Sequence, residues 1–358
     1  MDLSDYQATG ELALAATIPA RWYTDAEFLT LEQERIFART WQPVGYADKV
    51  ANPGDYFACD IQGEPIVVAR AKDGIVRAFS NVCRHRASTI VEGSGSASVL
   101  RCPYHAWTYE LNGRLLGTPE FEGVADWNRS EICLPQFRVD TWGPFIFVNQ
   151  DANAPPLQDV WGEIPNQVRE FGCPVDQMRL SARRDYVIEC NWKVYIDNYL
   201  EGYHLPAAHP GLFRELDYAA YRVDTFRYYS SQYAPIRLRE GDGANRRYRY
   251  DTGDAGALYF WIFPNFMLNV YPDNLSSNII VPLGPDKTLT IFEWFAFEGD
   301  VSEATIAFSD EIQQEDIRIC ENVQRGLCSR TYNQGRFSVK RENGVHHFHL
   351  LLNEFLTR

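Results

Sequence analysis

The chain has 358 residues, long enough to bury the core of two domains or of one large one. With 34 Lys+Arg against 48 Asp+Glu it carries a net charge of −14, so no basic stripe is available to neutralise phosphates and nucleic acid is excluded as a partner. The longest apolar runs, such as Ala257 to Phe263, fall far short of the roughly 20 residues a membrane span needs. The opening Met1-Asp2-Leu3-Ser4-Asp5 lacks the positive-then-apolar order of a signal peptide, and the eight cysteines are expected to be reduced. A soluble, cytoplasmic protein is expected.

In chain order, residues 1–43 suggest an N-terminal helical arm, in which Thr30 followed by Gln33 resembles a capping box opening a helix through Phe37. From 44 to 150 the pattern changes to short strands, Ile66 to Ala69 and Phe145 to Asn149 among them, punctuated by Gly and Pro. A Pro-, Asn- and Asp-rich linker occupies 150–156, and 157–358 reads as a second domain. There, Asn191 to His204 suggests a helix stopped by Pro206, Leu258 to Val270 and Leu289 to Phe297 suggest strands, and Ser302 to Arg325 a long amphipathic helix capped near Gly326. The fold class is α+β, a small β domain followed by an α+β domain.

Histidine is scarce and clustered: two beside cysteines, two five residues apart, three at 346–349. Cys83-Arg84-His85, sixteen residues, then Cys102-Pro103-Tyr104-His105 gives two loops with one thiolate and one imidazole each. Such a set suits tetrahedral zinc or a 2Fe–2S cluster with histidines on one iron. Zinc fingers place both cysteines in one loop, so one of each per loop is the Rieske arrangement. In the second half, Asp197, Glu201 and His204 stand at i, i+4 and i+7 of the expected helix, and the break at Pro206 lets His209 meet His204 from a loop. On the long helix Ile312, Asp316, Ile319 and Val323 align, which points Asp316 at the core, where a lone charge is costly and a cation would be its partner. His204, His209 and Asp316 would form the facial triad of a non-heme Fe(II) site. A salt bridge from Asp316 to Arg183 or Arg318 is the competing reading.

Cys83-Arg84-His85-Arg86 and Cys102-Pro103-Tyr104-His105-Ala106-Trp107-Thr108-Tyr109 resemble the Rieske segments of the oxygenase components of non-heme iron ring-hydroxylating systems. Ala87 and Ala106 stand where that family more often has glycine. Asn191-Trp192-Lys193, Asp197 to Glu201, Tyr203-His204, His209-Pro210, Glu315-Asp316 and Val323 to Leu327 resemble its mononuclear-iron segments, so the resemblance runs over about residues 20–357. It implies a Rieske β domain joined to a helix-grip catalytic domain, an antiparallel sheet with a long C-terminal helix, in a homotrimer. It further implies one 2Fe–2S cluster on Cys83, His85, Cys102 and His105, and one mononuclear Fe(II) on His204, His209 and Asp316. Glu201 and Asn198 are then the candidate catalytic residues, Glu201 as a bridge from His204 to a cluster histidine, His105 of the partner subunit.

The chain has no G-x-G-x-x-G loop opening a helix after a strand, so NAD(P)H and flavin are expected only on a separate reductase or ferredoxin system. Local matches such as Asn198-Tyr199-Leu200, Ala257-Leu258-Tyr259, Pro264 to Met267, Val281 to Pro285 and His346 to His349 resemble the quaternary-ammonium monooxygenase branch, of which choline monooxygenase is one. The expected substrates are O2 and a small quaternary ammonium compound, hydroxylated or N-demethylated. The alternatives are hydroxylation, dihydroxylation or demethylation of an aromatic acid or related ring compound, and an electron-transfer or zinc-stabilised protein without oxygenase activity. Tyr259, Trp261, Phe263 and Phe266 are the candidate substrate-pocket residues, aromatic faces being attractive to a methylated cation. His347 and His349 are expected to alternate on a strand and to pack rather than bind metal.

Overall fold

A computed structural model describes residues 2–236, 256–271, 274–297 and 299–358. The chain forms two compact units, Phe37–Ala154 and a second made of Met1–Ile36 with Pro155–Arg358. The boundary at Ala154 lies within the Pro-rich linker. The N-terminal segment is not a separate arm, since it is built into the second unit. Its helices are α1 (Arg21–Thr24) and α2 (Ala26–Arg35). Asp25 caps α2 by accepting from the Glu27 N–H, so the helix starts before Thr30 and the expected capping box falls inside it.

In the 37–154 unit, β1 (Gln42–Tyr46), β2 (Asp55–Ile61), β3 (Glu64–Arg70), β4 (Val76–Ser80), β5 (Ser94–Ser96), β9 (Gln136–Trp142) and β10 (Phe145–Asn149) form one antiparallel sheet in the order β1-β10-β9-β4-β3-β2-β5. Between them β6 (Leu100–Arg101), β7 (Thr108–Tyr109) and β8 (Leu115–Gly117) make a small second sheet. Val67, Phe79, Leu100, Tyr109, Leu111 and Leu134 are buried together with Cys83 and Cys102, so the two cysteine loops rest on one apolar cluster.

The other unit continues with α3 (Leu157–Trp161), α4 (Ile164–Glu170), β11 (Arg179–Ile188), α5 (Trp192–Tyr199), α6 (Leu205–Ala208), α7 (Pro210–Glu215), β12 (Arg222–Thr225), β13 (Tyr229–Pro235), β14 (Gly256–Ile262), β15 (Phe266–Val270), β16 (Leu275–Gly284), β17 (Lys287–Ala296), α8 (Glu303–Leu327) and α9 (Asn343–Thr357). The seven described strands of this unit form an antiparallel sheet, β11-β17-β16-β15-β14-β13-β12. The expected strand over Leu258 to Val270 is a hairpin, β14 and β15, turned at Phe263-Pro264-Asn265. Ser302 caps α8 through the Thr305 N–H, as its position implies, but the helix runs through Gly326 to Leu327. The buried face of α8 is Ile306, Gln313, Cys320 and Gln324, whereas Val323 is exposed.

Two corrections concern histidines. The helix from Asn191 ends at Tyr199, so Asp197, Glu201 and His204 do not share a helical face. Past that end the Glu201 carboxylate accepts from the main-chain N–H groups of Tyr203 and His204, as an N-cap does, and opens a new turn. Residues 346–349 lie in α9, not in a strand. Four residues suggest alternation, yet the buried set Val345, Phe348, Leu351, Leu352, Phe355 and Leu356 has helical spacing.

His347 of α9 faces Trp261, with ring centroids 6.1 Å apart, and its Nδ1 is buried without a partner. Burial, aided by Arg227, pushes its pKa down to about 4, which keeps the ring neutral in the folded chain. The unfolded chain binds the proton at higher pH, so this stabilisation is complete above about 6.5 and is lost as pH falls toward about 4. Equilibrium denaturation of His347→Phe should therefore depend less on pH across that window than wild type.

Candidate metal centres and substrate cavity

The first constellation sits in two loops of matching design. Cys83 N–H donates to the Ser88 carbonyl and Ala87 N–H returns to the Cys83 carbonyl. In the other loop Cys102 N–H donates to the Trp107 carbonyl and Ala106 N–H to the Cys102 carbonyl. Ala87 and Ala106 adopt φ of 57° and 59°, the left-handed conformation that glycine enters without a Cβ penalty. Alanine, with a lone Cβ, is the smallest side chain that can stand there in place of glycine.

Cys83 and Cys102 are buried, and the His85 and His105 rings are 4.6 Å apart between centroids. His85 stacks on Trp107 at 4.8 Å, and its Nδ1 is buried without a protein partner. Tyr109 contacts the Cys83 sulfur at 3.3 Å while accepting from the Arg84 N–H at 2.9 Å. Burial raises the Cys83 pKa; at Cys102 burial is outweighed by the Tyr104 and His105 N–H groups, which favour the thiolate and lower it. Two sulfurs surrounded by N–H donors, beside a ring nitrogen awaiting a partner, fit a histidine-ligated 2Fe–2S cluster.

The second constellation joins three elements. His204 follows the turn after α5, His209 lies between α6 and α7, and Asp316 projects from α8. Their ligand atoms all fall within 4.8 Å of one another. His209 Nε2 is 3.0 Å and His204 Nε2 3.9 Å from Asp316 Oδ1. The opposite nitrogens are held by carboxylates, His204 Nδ1 by Glu201 at 2.5 Å and His209 Nδ1 by Glu315 at 2.6 Å. Both rings thus turn Nε2 inward with Nδ1–H fixed outside, the pattern by which carboxylates orient metal-binding imidazoles. Asn198 Nδ2 donates to Asp316 Oδ1 at 2.7 Å and fixes that carboxylate as well. Burial alone would lower the His209 pKa, but Asp316 and Glu315 outweigh it and hold it above the ordinary imidazole value. A dication satisfies the same carboxylates, and the donor set of two imidazoles and one carboxylate suits Fe(II). The competing reading, a salt bridge from Asp316 to Arg183 or Arg318, is not formed among the described residues; Arg183 pairs with Asp185 and Glu293 instead.

A cavity of about 160 Å³ opens onto His204, His209 and Asp316. Of the expected pocket residues only Tyr259 lines it. Trp261 is on the same sheet face two residues along, where Phe348 of α9 covers it at 5.3 Å. Phe263 lies in the hairpin turn against Phe355, and Phe266 packs on Trp161. These three are core. Beside Tyr259 the aromatic lining comes from Tyr195, Tyr199, Tyr221, Tyr271, Phe292, Trp294 and Phe308. The sequence reading missed Glu315 as a partner of His209, although it directly precedes Asp316. It also missed Trp107 and Tyr109, which stand inside the second cysteine motif.

Residues 40–128 match the Rieske [2Fe-2S] domain family, and residues 175–358 match the ring hydroxylating alpha subunit (catalytic domain) family. The chain belongs to the Rieske ring-hydroxylating oxygenases. It is 36% identical to choline monooxygenase, chloroplastic, of Arabidopsis thaliana over 96% of this chain and 84% of that protein. It is 34% identical to the carnitine monooxygenase oxygenase subunit of Escherichia coli (strain K12) over 94% of this chain and 93% of that protein. Among solved structures, a quaternary ammonium Rieske monooxygenase described for carnitine oxidation and inter-subunit electron transfer superimposes with a TM-score of 0.84 at 30% identity, covering 96% of both chains. Naphthalene 1,2-dioxygenase from Rhodococcus, at 20% identity and a TM-score of 0.73, shares the fold. Like other Rieske oxygenases, the chain uses a 2Fe–2S cluster and a mononuclear iron, with electrons from a partner reductase.

The two ligand sets should separate experimentally. Cys83→Ser or His105→Ala should abolish the visible absorption and the rhombic reduced-state resonance of the cluster. Asp316→Ala should keep both signals, lose about one iron per chain and stop turning over. Metal analysis with electron paramagnetic resonance reads both outcomes, and a full Rieske spectrum in Cys83→Ser would refute the first assignment.

Proposed function

We propose that this chain is the terminal oxygenase of a system that hydroxylates a small quaternary ammonium compound, as monooxygenation or N-demethylation. The observation that carries the reading is an aromatic-walled cavity opening onto His204, His209 and Asp316. Inserting one oxygen atom into a C–H bond and releasing the other as water consumes two electrons and two protons, which NAD(P)H supplies through a separate reductase. Iron held by His204, His209 and Asp316 would supply the dioxygen chemistry, and a 2Fe–2S cluster held by Cys83, His85, Cys102 and His105 would supply its electrons.

The chain's own residues bind and orient. The faces of Tyr259, Tyr271 and Trp294 attract a methylated ammonium, which has no N–H for a hydrogen bond and needs an aromatic or acidic surround. Tyr259 and Tyr271 stand nearly perpendicular, 85° apart with centroids at 6.0 Å, and Phe292 and Trp294 meet at 63° and 6.1 Å. Asn198 holds Asp316, while Glu201 and Glu315 hold the two imidazoles, so the ligand geometry does not depend on substrate.

The relatives named for choline and carnitine support this substrate class. Oxygen uptake and product should be followed together for choline, carnitine, γ-butyrobetaine and aromatic acids with a surrogate reductase. Coupled turnover of a quaternary amine is expected; coupled turnover of aromatic acids alone would replace this reading with ring hydroxylation.

The assembly we propose is a homotrimer in which Glu201 joins His204 to His105 of the partner subunit. A carboxylate has lone pairs for several donors, and its contact with His204 leaves capacity for a second imidazole. Glu201→Gln should retain both metals and accept an electron at the cluster, yet form product far more slowly in a single turnover of pre-reduced protein. Wild-type rate and yield would exclude the bridge. A cytoplasmic location is part of the same proposal, in keeping with eight cysteines that form no disulfide. No helix among the described residues is long and apolar enough to cross a membrane.

A further inference from the structure

Two amides on the sheet hold the end of α5 from the cavity side. Gln232 and Asn269 belong to one transverse row, because Gln232 pairs with Tyr259, Tyr259 with Asn269, and Asn269 with Ser276. Gln232 Nε2 donates to the main-chain carbonyl of Tyr199 at 2.8 Å. The Tyr199 hydroxyl donates to Asn269 Oδ1 at 2.9 Å. Asn269 Nδ2 donates in turn to Ser276 and Asn278, each at 3.1 Å. The Gln232 oxygen accepts from the Tyr221 hydroxyl. Both amides are buried, so losing one of these contacts leaves a polar group short of a partner.

Tyr199 is the last residue of α5, and its carbonyl is among those a helix end leaves without a partner. It stands between Asn198, which holds Asp316, and Glu201, which holds His204. The following turn is packed from both sides. A Cβ on Gly202 would lie 2.8 Å from the Tyr221 ring, and a Cβ on Gly344 of α9 would lie 2.4 Å from the Leu200 carbonyl oxygen. The chain therefore leaves α5 through a gap that only glycine fits, in a direction set by what grips Tyr199.

We propose that Gln232 is a positioning residue of the mononuclear site: by holding the Tyr199 carbonyl, with Tyr221 behind it and Asn269 on the hydroxyl, it sets Asn198 and the Glu201–His204 turn in a single arrangement about the iron. This rests on the reading of His204, His209 and Asp316 as iron ligands. Gln232 bonds the Tyr199 carbonyl and the Tyr221 hydroxyl rather than any of those three, so its action runs through the Tyr199 main chain. Losing the contact frees the turn to take several arrangements without removing a ligand.

The test uses the reconstituted full chain with nitric oxide as a probe of the ferrous site, read by electron paramagnetic resonance, beside steady-state kinetics. In Gln232→Leu the mononuclear iron should stay near one per chain, beside the two irons of the cluster, and the Rieske signal should be unchanged. The ferrous–nitrosyl signal should broaden into more than one rhombic species, and product formed per O2 consumed should fall about tenfold, with kcat affected more than KM. Tyr221→Phe, which removes one hydroxyl behind Gln232, should change both readings in the same direction by less; it decides the matter if Gln232→Leu does not fold. A single wild-type-like nitrosyl species with wild-type coupling in the variants overturns this inference alone. A wild-type protein with no ferrous–nitrosyl signal overturns the iron assignment, and the inference with it.

Discussion

The catalytic unit depends on how α5 is held, because nearly every polar side chain of that helix is committed to a different element. At its start Lys193 and the Trp192 indole both bind Glu32 of α2, at 2.5 and 2.7 Å, in a site closed to water. Burial pushes the Glu32 pKa up and that of Lys193 down, while their mutual attraction opposes both shifts. Such a pair adds little stability over a well-packed apolar one, but losing either partner leaves a buried polar group alone. Its value here is registry. One turn on, Asp197 accepts from Tyr23 at 2.6 Å and bonds His349 of α9 at 3.0 Å. The Ile18 N–H donates to the other His349 nitrogen, which places the proton on the side facing Asp197. With α5 fixed at the back by residues 18–32 and α9, Asn198 and Tyr199 have one place to go.

From that placement follows the chemistry of the site. Glu201, Glu315 and Asp316 surround two imidazoles, an arrangement that a polar solvent would screen and that a cavity walled by tyrosine, phenylalanine and tryptophan does not. Carboxylates outside the ligand ring fix the imidazole tautomers and leave Nε2 of each directed inward. The same wall presents aromatic faces, a kind of surface that attracts cations.

The cysteine loops reach their geometry by a different route. Each is a short loop closed by the same pair of main-chain hydrogen bonds, and each ends in a left-handed alanine. A residue other than glycine costs of order 1 kcal/mol in that conformation, so the turns carry strain that the surrounding apolar cluster offsets. N–H groups left facing inward by these turns stabilise the sulfur charge.

The candidate ligand residues were legible in the sequence because their spacing within each loop is local and their types are rare: Cys83, His85, Cys102 and His105 by alternation of thiolate and imidazole, His204 and His209 by flanking a helix break. Asp316 was legible from its place among branched apolar residues, although Val323 of that row proved exposed and the buried face included Gln313 and Gln324 instead. What covers a residue was not legible. Tyr259 and Trp261 share one face of one strand, and only the path of α9 decides that the first lines the cavity and the second meets Phe348. Likewise, the N-terminal residues carry no local mark that Glu32, Tyr23 and Ile18 would hold a helix more than 150 residues away. Local periodicity fixes which way a side chain points relative to its own backbone; its partner is set by long-range packing, and that is a property of the folded chain alone.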